Sequence, residues 1–410
     1  MPQIHLSWKA PGLSSQLVDA INLGPCRFSW PRPLLAMLLT VLLSGFLTPP
    51  PHAAASVAET NVTPDLSVLM PVWNPFYSVS VGVGYKDNVL LSHSDSKGSG
   101  FVGLSGDFTL WRRPIEDGRE FQWVLNAVDR RYWNQDVINH EDWAFSRARY
   151  LHDLGPSWIW VSELDLSYFD VAVDLTYVES APLGAQLRGG GVGGLSGIRH
   201  KWDSGDWVQI SPAGSRTWLS GGFDAYSEWG GQVAFQHGYG NRSDWRADYS
   251  LKLRQYDHRR TVDLVGREVS TRGLTYLRHD MSWALHHYWD ASRRWRTTTK
   301  LNGLASFDNG SGYLSYWRAA ATEQLEYLAR SWSLRLEVGM AYYSFPRQRL
   351  VLGSSTTRER ADIVTAVRWE RKLGRAWKFQ MEYNWDGALA NDPLEAYGAN
   401  TFQGGLAVDF

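Results

Sequence analysis

Thiols are almost missing from this chain: among 410 residues the only cysteine is Cys26, which lies ahead of an apolar run near the N-terminus. Everything after that run must fold without a disulfide framework or a thiolate metal site. A charge excess of either sign is also missing, since 41 Lys and Arg balance 42 Asp and Glu to a formal net charge of -1. A nucleic-acid partner is therefore not expected, because binding phosphates calls for a basic excess or patch. Long apolar runs are scarce too. The longest, Leu34–Leu47, has 14 residues, short of the roughly 20 that a spanning helix needs. With a mean hydropathy of -0.33, a bundle of membrane helices is excluded. Aromatic residues, in contrast, are abundant. They make up 14% of the chain, with 22 Trp and 19 Tyr, and rings of this kind suit the boundary between lipid and water.

The tryptophans fall in a pattern. Short polar turns run into Trp158 (DLGPS), Trp207 (DSG and Asp206), Trp245 (GNRSD), Trp295 (DASRR), Trp332 (ARS) and Trp377 (LGRA), and a looser one precedes Trp123. Each opens a stretch in which apolar and polar residues alternate, the period of a strand with one greasy and one wet face. From Trp332, Leu334, Leu336, Val338, Met340 and Tyr342 oppose Arg335, Glu337 and Gly339; from Trp377, Phe379, Met381 and Tyr383 oppose Lys378, Gln380, Glu382 and Asn384. The apolar face must meet hydrocarbon, because the reverse would cost about 2–4 kcal/mol for each Arg or Lys near the midplane. Between the tryptophan-marked turns lie longer connections: 86–98, 134–140, 170–185, 211–222, 258–269, 307–312, 345–358 and 386–396. Short turns on one side and long loops on the other are the asymmetry of outer-membrane barrels. The expected fold is all-β, a transmembrane antiparallel up-and-down barrel of about 16 strands. Trp123, Trp158, Trp207, Trp245, Trp295, Trp332 and Trp377 form its periplasmic aromatic girdle.

The organisation follows. Residues 1–58 read as a signal peptide with a long n-region, in which Arg27 and Arg32 precede the apolar run and Ala53, Ala54, Ala55 and Ala58 follow it. Residues 59–75 read as a periplasmic lead-in, and 76–410 as the barrel. Two strands depart from clean alternation: Glu323 shares a face with Ala321, Leu325 and Tyr327, which suggests a bulge, a register change or a position above the bilayer, and 143–151 reads as switching phase near Arg147 and Arg149.

The final strand, TFQGGLAVDF, places Phe402, Leu406, Val408 and Phe410 on one parity. It resembles the C-terminal strand of Gram-negative outer-membrane proteins. That resemblance implies recognition of Phe410 by the barrel-assembly machinery, an outer-membrane location and a porin-like architecture. No characterised subfamily is matched.

The wet parity collects Arg246, Asp248, Lys252, Arg254, Arg278, Asp280, Arg296, Lys300, Arg335, Glu337, Arg368, Glu370, Lys378 and Glu382, with Arg130 and Asp165. These are the expected lumen lining. Their functional reading is a water-filled pore whose opposed charges select solutes; the bland one is mutual pairing, easily arranged in Arg246/Asp248, Arg278/Asp280, Arg335/Glu337 and Arg368/Glu370. Catalysis is not expected. His237 and Ser243 sit in the wrong order for a phospholipase-type site, and the adjacent His286 and His287 point to opposite faces. The glycine-rich stretch 189–197 lacks the lysine of a phosphate loop and reads as a bent strand or bulge. No cofactor or metal is implied. Outer-membrane lipid and small hydrophilic solutes are the expected partners, and passage of such solutes is the expected role. The alternative is a non-conducting barrel that anchors, secretes or assembles surface partners through 170–185 and 345–358.

Overall fold

The computed structural model describes residues 71–93, 96–115, 118–133, 138–174, 184–220, 223–240, 242–350 and 355–410. The expected signal peptide, most of the expected lead-in and the centres of the 170–185 and 345–358 connections lie outside the described residues. Sixteen strands follow one another: β1 (Trp73–Lys86), β2 (Ser99–Arg112), β3 (Arg119–Tyr132), β4 (His140–Asp153), β5 (Trp158–Asp174), β6 (Gly184–Lys201), β7 (Trp207–Leu219) and β8 (Tyr226–Tyr239). They continue as β9 (Ser243–Val262), β10 (Glu268–Tyr288), β11 (Trp295–Asp308), β12 (Tyr316–Leu328), β13 (Trp332–Arg349), β14 (Thr357–Lys372), β15 (Trp377–Ala390) and β16 (Tyr397–Asp409). Each pairs antiparallel with its neighbours, and β1 closes the barrel on β16 through Ser78↔Asp409 to Lys86↔Thr401. Closure leaves no unpaired edge, the condition for strands to cross a bilayer.

The outer surface is apolar and exposed. Val79, Val81 and Val83 on β1, Ile210 on β7 and Met281 on β10 all project outward among the exposed hydrophobic side chains. A soluble protein would not present so large an apolar surface to water. The barrel is an integral outer-membrane protein. On β12 the outward aromatics Trp317 and Tyr327 bracket the lipid band; ten residues at about 3.3 Å each, tilted near 40°, span about 25 Å, the height of such a band.

The strands run further than the alternation alone marks, and five connections shrink accordingly. β7 occupies most of 211–222 and includes Pro212, which sits outward opposite Gly231. β9 and β10 absorb most of 258–269 into a hairpin that ends in a turn at Asp263, whose Oδ1 accepts from Val265 N and Arg267 N. β5 reaches Asp174, β13 reaches Arg349 and β15 reaches Ala390. β1 begins at Trp73, inside the expected lead-in.

The suspected irregularities resolve differently. β4 keeps one continuous register with β3 and β5, so 143–151 does not change phase. β12 is equally unbroken, and Glu323 therefore remains on the outward parity, beside Thr299 of β11 and Val338 of β13. The glycine stretch is a regular part of β6 with no register shift against β5. Register shifts lie instead in β9–β10, between Glu268, Gly273 and Thr275, and in β13–β14, between Phe345 and Arg349.

The packed core lies inside the barrel toward the long-loop end. Val89 and Leu90, from the β1–β2 connection, pack on inward Phe101 and Tyr132 with Ile138. Tyr226, Tyr256, Leu274 and Tyr276 gather with Leu314 from the β11–β12 connection, and Leu304, Tyr316, Tyr343 and Phe345 form a third group. Gly84 is required there, because a Cβ at that position would run into the Phe101 ring.

Candidate functional site: the charged inner wall

Alternation places the charged parity of each strand on the inner wall. The cations and carboxylates there pair mainly across strands. Glu326 on β12 lies between its two register partners, Arg296 on β11 and Arg335 on β13; it bonds both, Arg335 at 2.9 Å. Glu228 on β8 accepts from Arg254 Nε at 2.8 Å and from Arg278 Nη1 at 2.7 Å. Glu228, Arg254, Arg278 and Glu326 are buried, and Arg296 and Arg335 keep only limited exposure, so each carboxylate is compensated by two guanidiniums inside the wall. Lys86 meets Glu141 at 3.1 Å, and Arg147 meets Asp165 at 2.6 Å and Glu163 at 3.3 Å.

Two of the four expected pairings along a strand form: Arg246–Asp248 at 2.5 Å and Arg368–Glu370 at 2.8 Å. In the other two, Arg278 and Arg335 turn to Glu228 and Glu326, while Asp280 accepts from Asn302 at 2.8 Å. For Arg335 the directly opposed neighbour on the next strand is closer than a residue two along the same strand, whereas Arg278 reaches past β9 to Glu228 on β8, the carboxylate that Arg254 also holds. Lys378 reaches Asp409 of β16, Glu382 accepts from Asn384 at 2.8 Å, and Lys252 lies opposite Arg278. Lys300 and Glu337 occupy the inward parity of β11 and β13.

The wall is uneven in bulk. On β6 to β8 the inward residues include Gly191, Gly193, Ser211, Ala213, Gly230 and Ala234, and on β1 and β2 they include Ser78, Ser80, Gly82, Gly103 and Ser105. Small side chains thus line two strips of the wall, while long charged ones project from the strands between. Several inward groups keep contact with solvent: the Arg246 and Arg368 side chains are 36% and 38% exposed, and inward Val364 of β14 is 40% exposed.

The tryptophans divide. Trp158, Trp295, Trp332, Trp377 and Trp123 are exposed on the outer surface at the short-turn end, and Trp245 shares their outward parity on β9. Trp207 does not belong with them. It is 8% exposed, on the same parity as Gln209 and Ser211, and its ring lies 3.9 Å from the Arg199 guanidinium and 5.4 Å from that of Arg246. Val208 and Ile210 carry the apolar face of β7, which turns Trp207 inward. Phe410 is outward, stacked on Tyr77 at 4.9 Å, with its amide donating to Tyr77 O at 2.9 Å.

The histidines are held separately. His237 bonds Asp206 at 2.9 Å, Ser243 Oγ accepts from the Tyr288 amide at 3.1 Å, and no hydrogen bond joins the two among the described residues. His286 bonds Asp244 at 3.2 Å, while His287, on the other face, stacks with Tyr239. At the β6–β7 turn, hydrogen bonds from His237, then Ser204 and the Gly238 amide, hold the Asp206 carboxyl below the ordinary carboxylate range.

No protein-family model matches the chain, and no curated protein matches it in sequence. Solved structures similar to it include the outer membrane channel DcaP of Acinetobacter baumannii, with 11% identity over 82% of this chain and 97% of that one and a TM-score of 0.47. OccAB1 of Acinetobacter baumannii has 12% identity over 82% and 96%, with a TM-score of 0.42. An anion-selective porin from Comamonas acidovorans has 9% identity over 82% and 99%, with a TM-score of 0.40.

Proposed function

We propose that this barrel passes small hydrophilic solutes across the outer membrane with weak selectivity. The observation that carries the reading is the solvent contact kept by Arg246, Arg368 and Val364 on the inner side of a closed wall. Sixteen strands enclose more space than side chains fill, and the small-residue strips leave room beside the charged strands. Arginines and carboxylates of both signs then set a transverse field without a strong bias. Lipid is the partner of the outer face, and Phe410, displayed at the end of the closing strand, is the residue offered to the barrel-assembly machinery during biogenesis. Purified protein in planar bilayers is expected to give stepwise conductance, and correctly folded protein that stays silent would refute passage.

A second reading has its own support. The Val89, Leu90 and Leu314 side chains pack into aromatic clusters at the mouth, as they would in a non-conducting barrel that anchors, secretes or assembles surface partners. Silent bilayers would favour it.

A further inference from the structure

On the inner wall between β4 and β9, the arginines differ in what compensates them. Arg147 is held by Asp165 and Glu163, and Arg246 by Asp248. Arg199 on β6 has no carboxylate within ion-pair distance among the described residues. Its Nε and Nη2 both donate to Gln209 Oε1, at 3.2 and 2.8 Å, and its guanidinium carbon lies 3.9 Å from the centroid of the Trp207 ring. Yet Arg199 is only 7% exposed. A guanidinium so far out of water, with only a neutral amide as partner, wants a counter-anion.

Its surroundings increase that demand. Arg246 shares the Trp207 ring, and Arg149 of β4 is also within Coulombic reach of Arg199. The Arg149 Nε is buried without a hydrogen-bond partner, and its nearest ion-pair carboxylate, Glu163, is 3.9 Å away and already engaged by Arg147. Glu120, the other acid in reach of Arg199, accepts from Trp111 Nε1 at 3.1 Å. Gln209 is itself fixed, because its Nε2 donates to Ser211 Oγ at 2.9 Å, which leaves Oε1 turned to Arg199. The adjoining wall, at Ala213 and Ala234, is small.

We propose that Arg199, with Arg246 at the same Trp207 ring and Arg149 beside it on the wall, binds the oxyanion group of a small solute, a carboxylate or a phosphate, on the inner wall near the short-turn end. Charge-assisted bonds from guanidinium to oxyanion are the strong and directional kind. The inference rests on the passage reading, since the solute must arrive through the lumen, but its test does not depend on conductance.

Inorganic phosphate is titrated against the full-length protein folded in detergent, with binding read from phosphorus NMR line width and acetate added as competitor. Arg199→Gln is expected to weaken phosphate about ten-fold, Arg149→Gln about three-fold, and Arg368→Gln, across the barrel, less than about two-fold. Acetate should displace phosphate from the wild type. Should Arg199→Gln fail to fold, as judged by heat-dependent gel migration, Arg149→Gln and Trp207→Phe carry the same test. No phosphate binding by the wild type would overturn the site even if bilayers conduct, and so would equal losses in Arg199→Gln and Arg368→Gln. Binding that persists in a protein silent in bilayers would uphold the site and remove passage.

Discussion

Glu326 and Arg335 face each other in register across β12 and β13 and form an ion pair of 2.9 Å, with Arg296 bound to the same carboxylate from β11. The carboxylate side chain is 7% exposed, so its charge and those of the two guanidiniums are compensated within the wall. Replacing Glu326 with Gln leaves two half-buried cations facing each other, and the expected loss is about 2 kcal/mol. Glu370→Gln, at the wetter Arg368 pair, should cost less than about 1 kcal/mol. Urea unfolding midpoints in lipid vesicles compare the two, and equal losses would mean the triad is not the drier site.

Trp207 and Trp158 open neighbouring odd-numbered strands at the same end of the barrel but point to opposite sides of the wall. In vesicles of lipids with brominated acyl chains, the emission lost in Trp158→Phe should be the quenched part. The emission lost in Trp207→Phe should be unquenched. Quenching of Trp207 would place it on the lipid face.

Glu323 is an outward carboxylate, held by Thr299 Oγ1 at 2.6 Å. Hydrocarbon is a poor environment for it, and one hydroxyl compensates it only in part. Glu323→Leu should stabilise the barrel by about 1 kcal/mol, measured by the same vesicle unfolding. A loss of stability would show that this face is covered by something other than lipid.

The β6–β7 turn is sensitive to acid. Asp206 titrates below its unfolded value because His237, Ser204 and Gly238 bond its ionised form. A depressed carboxyl stabilises above the unfolded value, and that stability is lost as pH falls through the folded one. Asp206→Asn should therefore unfold earlier than wild type near neutrality, and the two should converge as pH falls through the folded value of Asp206. A constant difference at all pH values would rule out the carboxylate as the cause.

Strand number, closure and the side of the wall that meets lipid were legible because one force, the exclusion of charge from hydrocarbon, acts on every second residue. Strand ends at the long-loop side were not, since above the lipid no such penalty marks them, and β9 and β10 continue as a hairpin in water. The inward aromatics Tyr256, Tyr276 and Tyr343 share a parity with Arg254, Arg278 and Arg335 and were hidden by the habit of assigning rings to lipid. Trp207 had a readable signal in the opposite parity of Val208 and Ile210. The choice of Glu228 by Arg278 had none, because it depends on register between strands far apart in sequence.

The inside and outside of the wall can be tested directly because the sequence beyond Cys26 has no thiol of its own. In a Cys26→Ser background, single cysteines at 363 to 368 on β14 are challenged with a membrane-impermeant maleimide in vesicles. Positions 364 and 368, which are open to solvent, should react, the buried 366 more slowly, and 363, 365 and 367 should not. Uniform reaction, or unreactive inward positions, would contradict a water-holding barrel surrounded by lipid.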